Sequence, residues 1–399
     1  MSFLFCSAID TCAPLLAGGA RADQMDRSGH YARWEDDFSL AHHLGVSALF
    51  YGPAYYRVHV APDRYDWETC AEPMERLRLL GIAPIADLCN GGVPNWMGDL
   101  TSDDFPALLA EYAAAFAHRF PWVTHFAPVH DIAGSAERHA CTVAAVGGDF
   151  DSAFVRATRT LSLAHERAVE AILGVRPAAT IVMHAPARHS HAAGEGARAE
   201  SDRRNLRRSL ALDLCLGLDL APGAARHLHD YGVPAQELRW FREKRARRNR
   251  VLSLSWSADS ERRVTSAGKE TASLQKLGLR HLATALHVRT ELPLLLAETH
   301  APSRHGRAWL KQQWDDTLSL RSAGVPIVGF GWSPLTDVPA LGRARGELLD
   351  IGLADGRRAL RPAGELFREL VLRWGALLDA PVLARPERRE QRARRGALR

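Results

Sequence analysis

The chain has 399 residues, 46% of them hydrophobic and 24% charged, with a net charge of +5. That is enough for one large domain or two ordinary ones, the composition is that of a soluble globular protein, and no apolar run reaches the roughly eighteen residues that cross a bilayer. Seven Arg and two Glu between Arg385 and Arg399 account for the whole charge surplus, so the body is about neutral and offers no broad basic face to nucleic acid.

Strand and helix patterns alternate along the chain. Met1-Ser2-Phe3-Leu4-Phe5-Cys6 has no basic n-region and reads as the start of a first strand, Phe3 to Ile9, not as a signal peptide. A helical pattern from Trp34 to Leu44 stops at Gly45, and a second strand from Val46 to Tyr51 stops at Gly52-Pro53. Helix Met74 to Leu80, strand Ile82 to Leu88, helix Phe105 to Phe120 and strand Val123 to Val129 follow. Helix Ala153 to Leu173 leads to strand Ala179 to His184, and Ala185 to Asp202, rich in Ala, Gly, His and Arg, reads as a long loop. Helical patterns cover Leu206 to Leu216 and Pro234 to Arg247, with the basic run Arg242 to Arg250 as an exposed helix end. Strand Val251 to Trp256, a partly helical stretch from Thr271 to Leu292, strand Leu294 to Ala297, helix Ala308 to Ser322, strand Val325 to Trp332 and helix Ala363 to Leu378 complete the series. Residues 381–399 read as a flexible basic tail.

Six cysteines without a C-x-x-C pair predict buried thiols in a reducing cytoplasm. Eight strands with intervening helices, and no linker, predict a single (β/α)8 barrel over residues 1–380. A doubly wound sheet is the alternative, but no Gly-rich phosphate turn follows an early strand.

A barrel carries its chemistry at the C-terminal ends of its strands. That rule collects Asp10, Asn90, His130, Asp131, His184, Trp256, Glu298, His300 and Trp332. Two carboxylates on different strand ends, Asp131 and Glu298, are what glycosidic cleavage requires: one donates a proton and the other acts as nucleophile or base.

These residues, in this order, resemble the family 1 glycoside hydrolases and their wider barrel clan, in a divergent bacterial branch of β-glucosidase-like proteins. The likeness runs through Gly29-His30-Tyr31-Ala32-Arg33-Trp34-Glu35-Asp36-Asp37-Phe38, Tyr51-Gly52-Pro53-Ala54-Tyr55-Tyr56-Arg57 and Arg64-Tyr65-Asp66-Trp67. It continues through Pro84-Ile85-Ala86-Asp87-Leu88-Cys89-Asn90-Gly91-Gly92-Val93-Pro94-Asn95-Trp96, and through Pro326 to Asp337. The resemblance implies a retaining mechanism with Glu298 as nucleophile, Asp131 in the acid/base position, His130 where the family has Asn, and Trp332 as the platform beneath a sugar. It also implies departures: Phe50 replaces an Arg that orients the nucleophile, and Asn90 replaces a His.

Asp is one methylene shorter than Glu and withdraws the carboxyl by about 1.5 Å. Retaining enzymes hold their carboxyls about 5–5.5 Å apart and inverting ones about 6.5–9.5 Å, so Asp131 either admits a water or falls short. A scaffold kept and a site rebuilt predict a repurposed reaction on a sugar or sugar-like small molecule in a specialised pathway, with Asp10, Asn90, Trp256, His184 and His300 binding substrate. No cofactor is expected. The alternative chemistry is a divalent metal such as Zn, Mn or Fe held by His130, Asp131, His184, Glu298 and His300, with His189 and His191 joining from the long loop. A third reading is a non-catalytic binding protein. In the plainest one, Glu298 is a structural carboxylate paired with Arg57 or Arg188. No nucleic acid or membrane partner is expected, and the oligomeric state stays open.

Overall fold

The computed structural model describes residues 2–16, 19–244, 249–341 and 347–379; the predicted tail lies outside them. Eight parallel strands close into a barrel, each hydrogen-bonded to its neighbours in chain order and the last to the first. They are β1 (Leu4–Ala8), β2 (Ala48–Tyr51), β3 (Ala83–Asp87), β4 (His125–Ala127), β5 (Thr180–Pro186), β6 (Arg250–Ser257), β7 (Leu294–His300) and β8 (Ile327–Trp332). This is the (β/α)8 architecture expected from the alternation.

Period-two alternation divides each strand between two cores. On β2, Ala48 and Phe50 point into the barrel, where Ile85, Val182, Val251 and Leu295 meet them. Leu49 and Tyr51 point outward to the helical layer with Phe126 and Phe330. On β8, Gly331 lets three strands close up: a Cβ there would lie 2.6 Å from the Cys6 carbonyl oxygen and 2.7 Å from that of Ala297.

The outer layer comprises α1 (His30–His43), α2 (Glu68–Leu79), α3 (Phe105–Arg119), α4 (Ile132–Ala145), α5 (Phe150–Val175), α6 (Arg198–Cys215), α7 (Gly278–Thr290), α8 (Ser303–Ser322) and α9 (Pro362–Asp379), with shorter helices between them. Helix α3 buries Phe105, Leu109, Tyr112 and Phe116 at helical spacing, and each such side chain contributes about 1.5–3 kcal/mol. Asp149 starts α5 by accepting the Ser152 N–H at 2.6 Å, satisfying an amide that has no partner within the helix.

Three segments depart from the sequence reading. Helix α4 forms directly after Asp131. Residues 185–202 are not a plain loop: β5 runs to Pro186, His189–Ala192 is a strand, and α6 begins at Arg198. That strand pairs with Glu261–Val264, which pairs in turn with Glu270–Ala272; the stretch 271–292, expected to be partly helical, is helix from Gly278 to Thr290. Arg250 is not at an exposed helix end. It opens β6 and is buried, making a two-pronged pair with Glu166 at 2.9 and 2.7 Å.

Candidate active site

The C-terminal ends of β3, β4, β5 and β7 bring three carboxylates and two imidazoles into one row. Asp87 Oδ2 lies 3.2 Å from His130 Nδ1, and His130 Nε2 lies 3.3 Å from Glu298 Oε1. Glu298 Oε2 is hydrogen-bonded to His184 Nε2 at 2.9 Å, and His184 Nδ1 lies 3.6 Å from Asp131 Oδ1. A single imidazole therefore separates the two carboxylates singled out from the sequence.

Strand geometry explains the convergence. Ile85 on β3 and Val182 on β5 point into the barrel, so alternation places Asp87 and His184 on the same inner side, one layer nearer the mouth. Glu298 follows Ala297, which itself points inward, and a regular strand would send it to the helical layer. An extra residue in β7 prevents this. The β6 partners advance from Ser253 to Ser255 while β7 advances from Leu295 to Glu298, and the same slip recurs against β8. This is a bulge, and it turns Glu298 back toward the barrel axis.

Asp131 sits at φ 39° and ψ 67° and caps α4, accepting the Gly134 N–H at 3.0 Å. A Cβ on Gly134 would lie 2.0 Å from Asp131 Oδ2, so glycine is what leaves room for the carboxylate.

Charge follows from this packing. Burial raises the proton affinity of Glu298, but the two imidazoles outweigh it and hold the carboxylate well below its usual range. Burial likewise opposes ionisation of Asp131; His184, with Arg138 and Arg188, reverses that and keeps it ionised. The imidazoles respond in the opposite sense. Burial lowers His184, yet Glu298 and Asp131 raise it to about 9. Asp87 and Glu298 overcome burial to raise His130. At neutral pH the protons of the row sit on the imidazoles.

The other sequence-selected residues divide. Asn90 donates to Thr11 Oγ1 at 3.1 Å and to Asp87 Oδ2 at 3.3 Å, and Thr11 donates to Asp87 at 2.6 Å, so both position the far end of the row. Asp10 accepts the Cys12 N–H at 3.0 Å, and burial raises it within electrostatic reach of His130. His300 feels the charge of Glu298, though burial holds its proton affinity low. Trp332 is only 1% exposed and donates its indole N–H to the Ile351 carbonyl at 2.8 Å, leaving no open ring face for a sugar. Trp256 is buried and stacked on Trp309 at 6.3 Å. His189 and His191 lie on the small sheet, with His191 held by Glu261 at 2.7 Å. Arg57 pairs with Asp23 at 3.6 Å rather than with Glu298. Phe50 packs edge-on against His130, ring centroids 6.1 Å apart, filling the inner wall of the site with hydrocarbon.

Asp87 was missed although it closes Pro84-Ile85-Ala86-Asp87. The strand-end rule applied one residue earlier would have selected it.

Two cavities open onto Asp131, one of about 780 Å³ bordered by Gly91 and Arg138, the other of about 400 Å³ bordered by Phe150 and Arg208. Arg188 and Gly134 line both. Glu298 is one imidazole deeper, with its side chain 14% exposed.

Ligand atoms of His130, His184 and Glu298 lie within 4.8 Å of one another. Both outer imidazole nitrogens face carboxylates, Asp87 and Asp131, which is how metal-ligating histidines are commonly supported. The donor set therefore fits a divalent transition metal.

No family model matches the sequence, and no curated protein does. Solved structures do. A family 1 β-glucosidase from Thermotoga maritima superimposes with a TM-score of 0.75 at 16% identity, over 93% of this chain and 98% of that one. The β-glucosidase of the same organism in complex with deoxynojirimycin gives 0.76 at 16% identity with the same coverage. Its complex with noeuromycin gives 0.74 at 17%, again over 93% and 98%. The chain thus has the barrel fold of the family 1 β-glucosidases, as the sequence resemblance implied, and the likeness is one of fold.

Proposed function

We propose that this protein is a glycoside hydrolase-like enzyme acting on a sugar or sugar-like small molecule that enters over Asp131. The observation carrying this reading is the single imidazole of His184 between Glu298 and Asp131, with Asp131 at the wall of both cavities. Glu298, kept ionised, is the nucleophile or base at the anomeric carbon. The proton for the leaving oxygen is stored on His184 and delivered at Asp131, whose own carboxylate is too acidic to store it. His130, Asp87, Thr11 and Asn90 fix Glu298 from the other side. The buried Trp332 and the Phe50 wall depart from what sugar stacking and an Arg-oriented nucleophile would need, which fits a reaction taken over by a specialised pathway better than turnover of ordinary β-glucosides.

The test is release of the aryl group from a panel of aryl glycosides, and binding of deoxynojirimycin, with wild type, Glu298→Gln and Asp131→Asn. Turnover abolished by the first and cut at least a hundredfold (~10²) by the second supports the assignment. Turnover equal to wild type in Glu298→Gln discards it.

The carboxylate behind each imidazole favours a second reading, in which His130, His184 and Glu298 hold a divalent metal. Such an ion supplies a Lewis acid and an activated water, and Glu298 is then a ligand, not a nucleophile. Metal analysis of protein purified without chelator decides between them: stoichiometric Zn, Mn or Fe that is lost in His130→Ala and His184→Ala selects the metal.

A further inference from the structure

The smaller cavity beside Asp131 is walled by five arginines, four of them on α6 and the fifth, Arg188, just past β5. Three have carboxylate partners: Arg203 and Arg204 pair with Glu200, and Arg207 with Asp151. The other two do not. Arg208, half-buried, uses Nη1 on neutral partners, Ser190 Oγ at 3.0 Å and Asn205 Oδ1 at 3.2 Å. Its Nε and Nη2 have no hydrogen bond among the described residues. Arg188, exposed just past β5, has no ion pair or side-chain hydrogen bond among them. The acidic side of the wall is largely spoken for: Asp151 by Arg207, Asp131 by His184 and the Gly134 N–H, leaving Glu137 exposed. Phe150 and Phe154, stacked with planes 4° apart, give the cavity an apolar side.

Two guanidiniums without a direct ion pair, from different elements and facing one cavity, with Asp131 and Glu137 only within electrostatic reach, match an anion of about two charges. A phosphate monoester carries about −1.5 to −2 at neutral pH and accepts paired N–H donors. We propose that this basin takes the phosphate of a glycosyl phosphate, a sugar esterified at its anomeric oxygen, with Arg188 and Arg208 as its counter-ions. This rests on the reading that the sugar lies over Asp131. The reaction is hydrolysis. The bond from C1 to the ester oxygen breaks and its electron pair stays with the phosphate, while water adds its OH to C1 and its remaining proton ends on the released phosphate. A phosphate leaves as a stable anion and asks little of a proton donor. The donor position here holds a shortened Asp131 already engaged by His184 and the Gly134 N–H.

Calorimetric titration of the full chain with inorganic phosphate, glucose 1-phosphate, UDP-glucose and glucose tests this. Glucose 1-phosphate should bind at least about tenfold more tightly than glucose, a margin expected from one charge-assisted contact, and inorganic phosphate should compete with it. Arg188→Gln and Arg208→Gln should each lose that margin, and Arg208→Lys should keep most of it. Arg188, being exposed, serves as the variant that leaves folding intact. UDP-glucose binding more tightly than glucose 1-phosphate identifies a nucleoside diphosphate as the source of the phosphate; weaker binding identifies the simple ester. Equal affinity for glucose and glucose 1-phosphate, or unchanged glucose 1-phosphate affinity in both Gln variants, overturns the proposal. Glu298→Gln should keep the margin, so tight phosphate-dependent binding without turnover defeats the catalytic reading alone, and turnover of neutral aryl glycosides without the margin defeats the basin alone.

Discussion

His130 and His184 lie face to face, ring centroids 4.7 Å apart and planes 25° from parallel. Stacked imidazoles that both carry protons repel each other, and here three carboxylates interleave with them to offset that repulsion. The two rings and Glu298 consequently titrate as a unit.

Glu298→Gln therefore changes more than a reacting group. His184 keeps its proton to about pH 9 because Glu298 and Asp131 overcome its burial. With Glu298 neutral the burial remains and one counter-charge is gone, so the midpoint should fall by at least about one unit. Imidazole ¹⁵N resonances of the metal-free protein, followed through a pH titration, report this directly, and an unmoved midpoint contradicts the account.

Gly134→Ala should separate folding from activity. Alanine favours the first turn of α4 by up to about 1 kcal/mol, yet its Cβ would meet Asp131 Oδ2 at 2.0 Å. The carboxylate must move or give up the cap, which costs about 0.5–2 kcal/mol. A melting temperature within a few degrees of wild type, with turnover reduced at least tenfold (~10-fold), is the expected pair of results; full activity would show that the position of Asp131 is immaterial.

The interior pair Arg250–Glu166 has side chains only 2% and 5% exposed. Arg250→Met alone strands a buried carboxylate and should cost about 3–5 kcal/mol. Adding Glu166→Leu should recover most of that loss, because an apolar pair needs no mutual compensation. Urea denaturation of both singles and the double variant gives the coupling, and additive losses would refute it.

Asp213, whose side chain is 1% exposed, supplies a pH signature. Burial raises its carboxyl to about 6, with Arg289 offsetting only part of the effect. A proton bound more tightly in the folded state stabilises below the unfolded value, near 3.9, and that contribution is lost as pH rises through about 6. Relative to Asp213→Asn, wild type should lose on the order of 2 kcal/mol of stability between pH 4 and pH 7. Urea midpoints at the two pH values measure it, and a constant difference contradicts the sign.

The sequence made the barrel legible because each strand is a short apolar run closed by Gly, Pro or a polar pair, and each is followed by helical spacing. Val46 to Tyr51, stopped by Gly52-Pro53, and Ile82 to Leu88 needed no tertiary information. Helix α4 escaped notice because its start depends on Asp131 adopting a left-handed backbone, which no local pattern announces. The strand at His189–Ala192 was hidden because it is polar and pairs with residues some seventy positions away. Within the site, Glu298, Asp131, His130 and His184 could be collected by the strand-end rule, but their order could not. Which imidazole stands between which carboxylates depends on rotamers and on the slip in β7. Trp332 misled for a related reason: a strand-end aromatic can face the mouth or the loops behind it, and here the Ile351 carbonyl claims it.

The inserted residue in β7 makes the reactivity of this barrel a matter of parity. Exchanging one letter for another at positions 130, 131 or 300 alters the chemistry on offer while the scaffold stands. Removing a single residue between Leu295 and Glu298 would straighten the strand and leave Glu298 two places after the inward Leu295, still opposite Ser255 and still facing the axis. Removing two would place it next to Leu295 and swing the carboxylate into the helical shell, so the count of residues after Leu295 aims it.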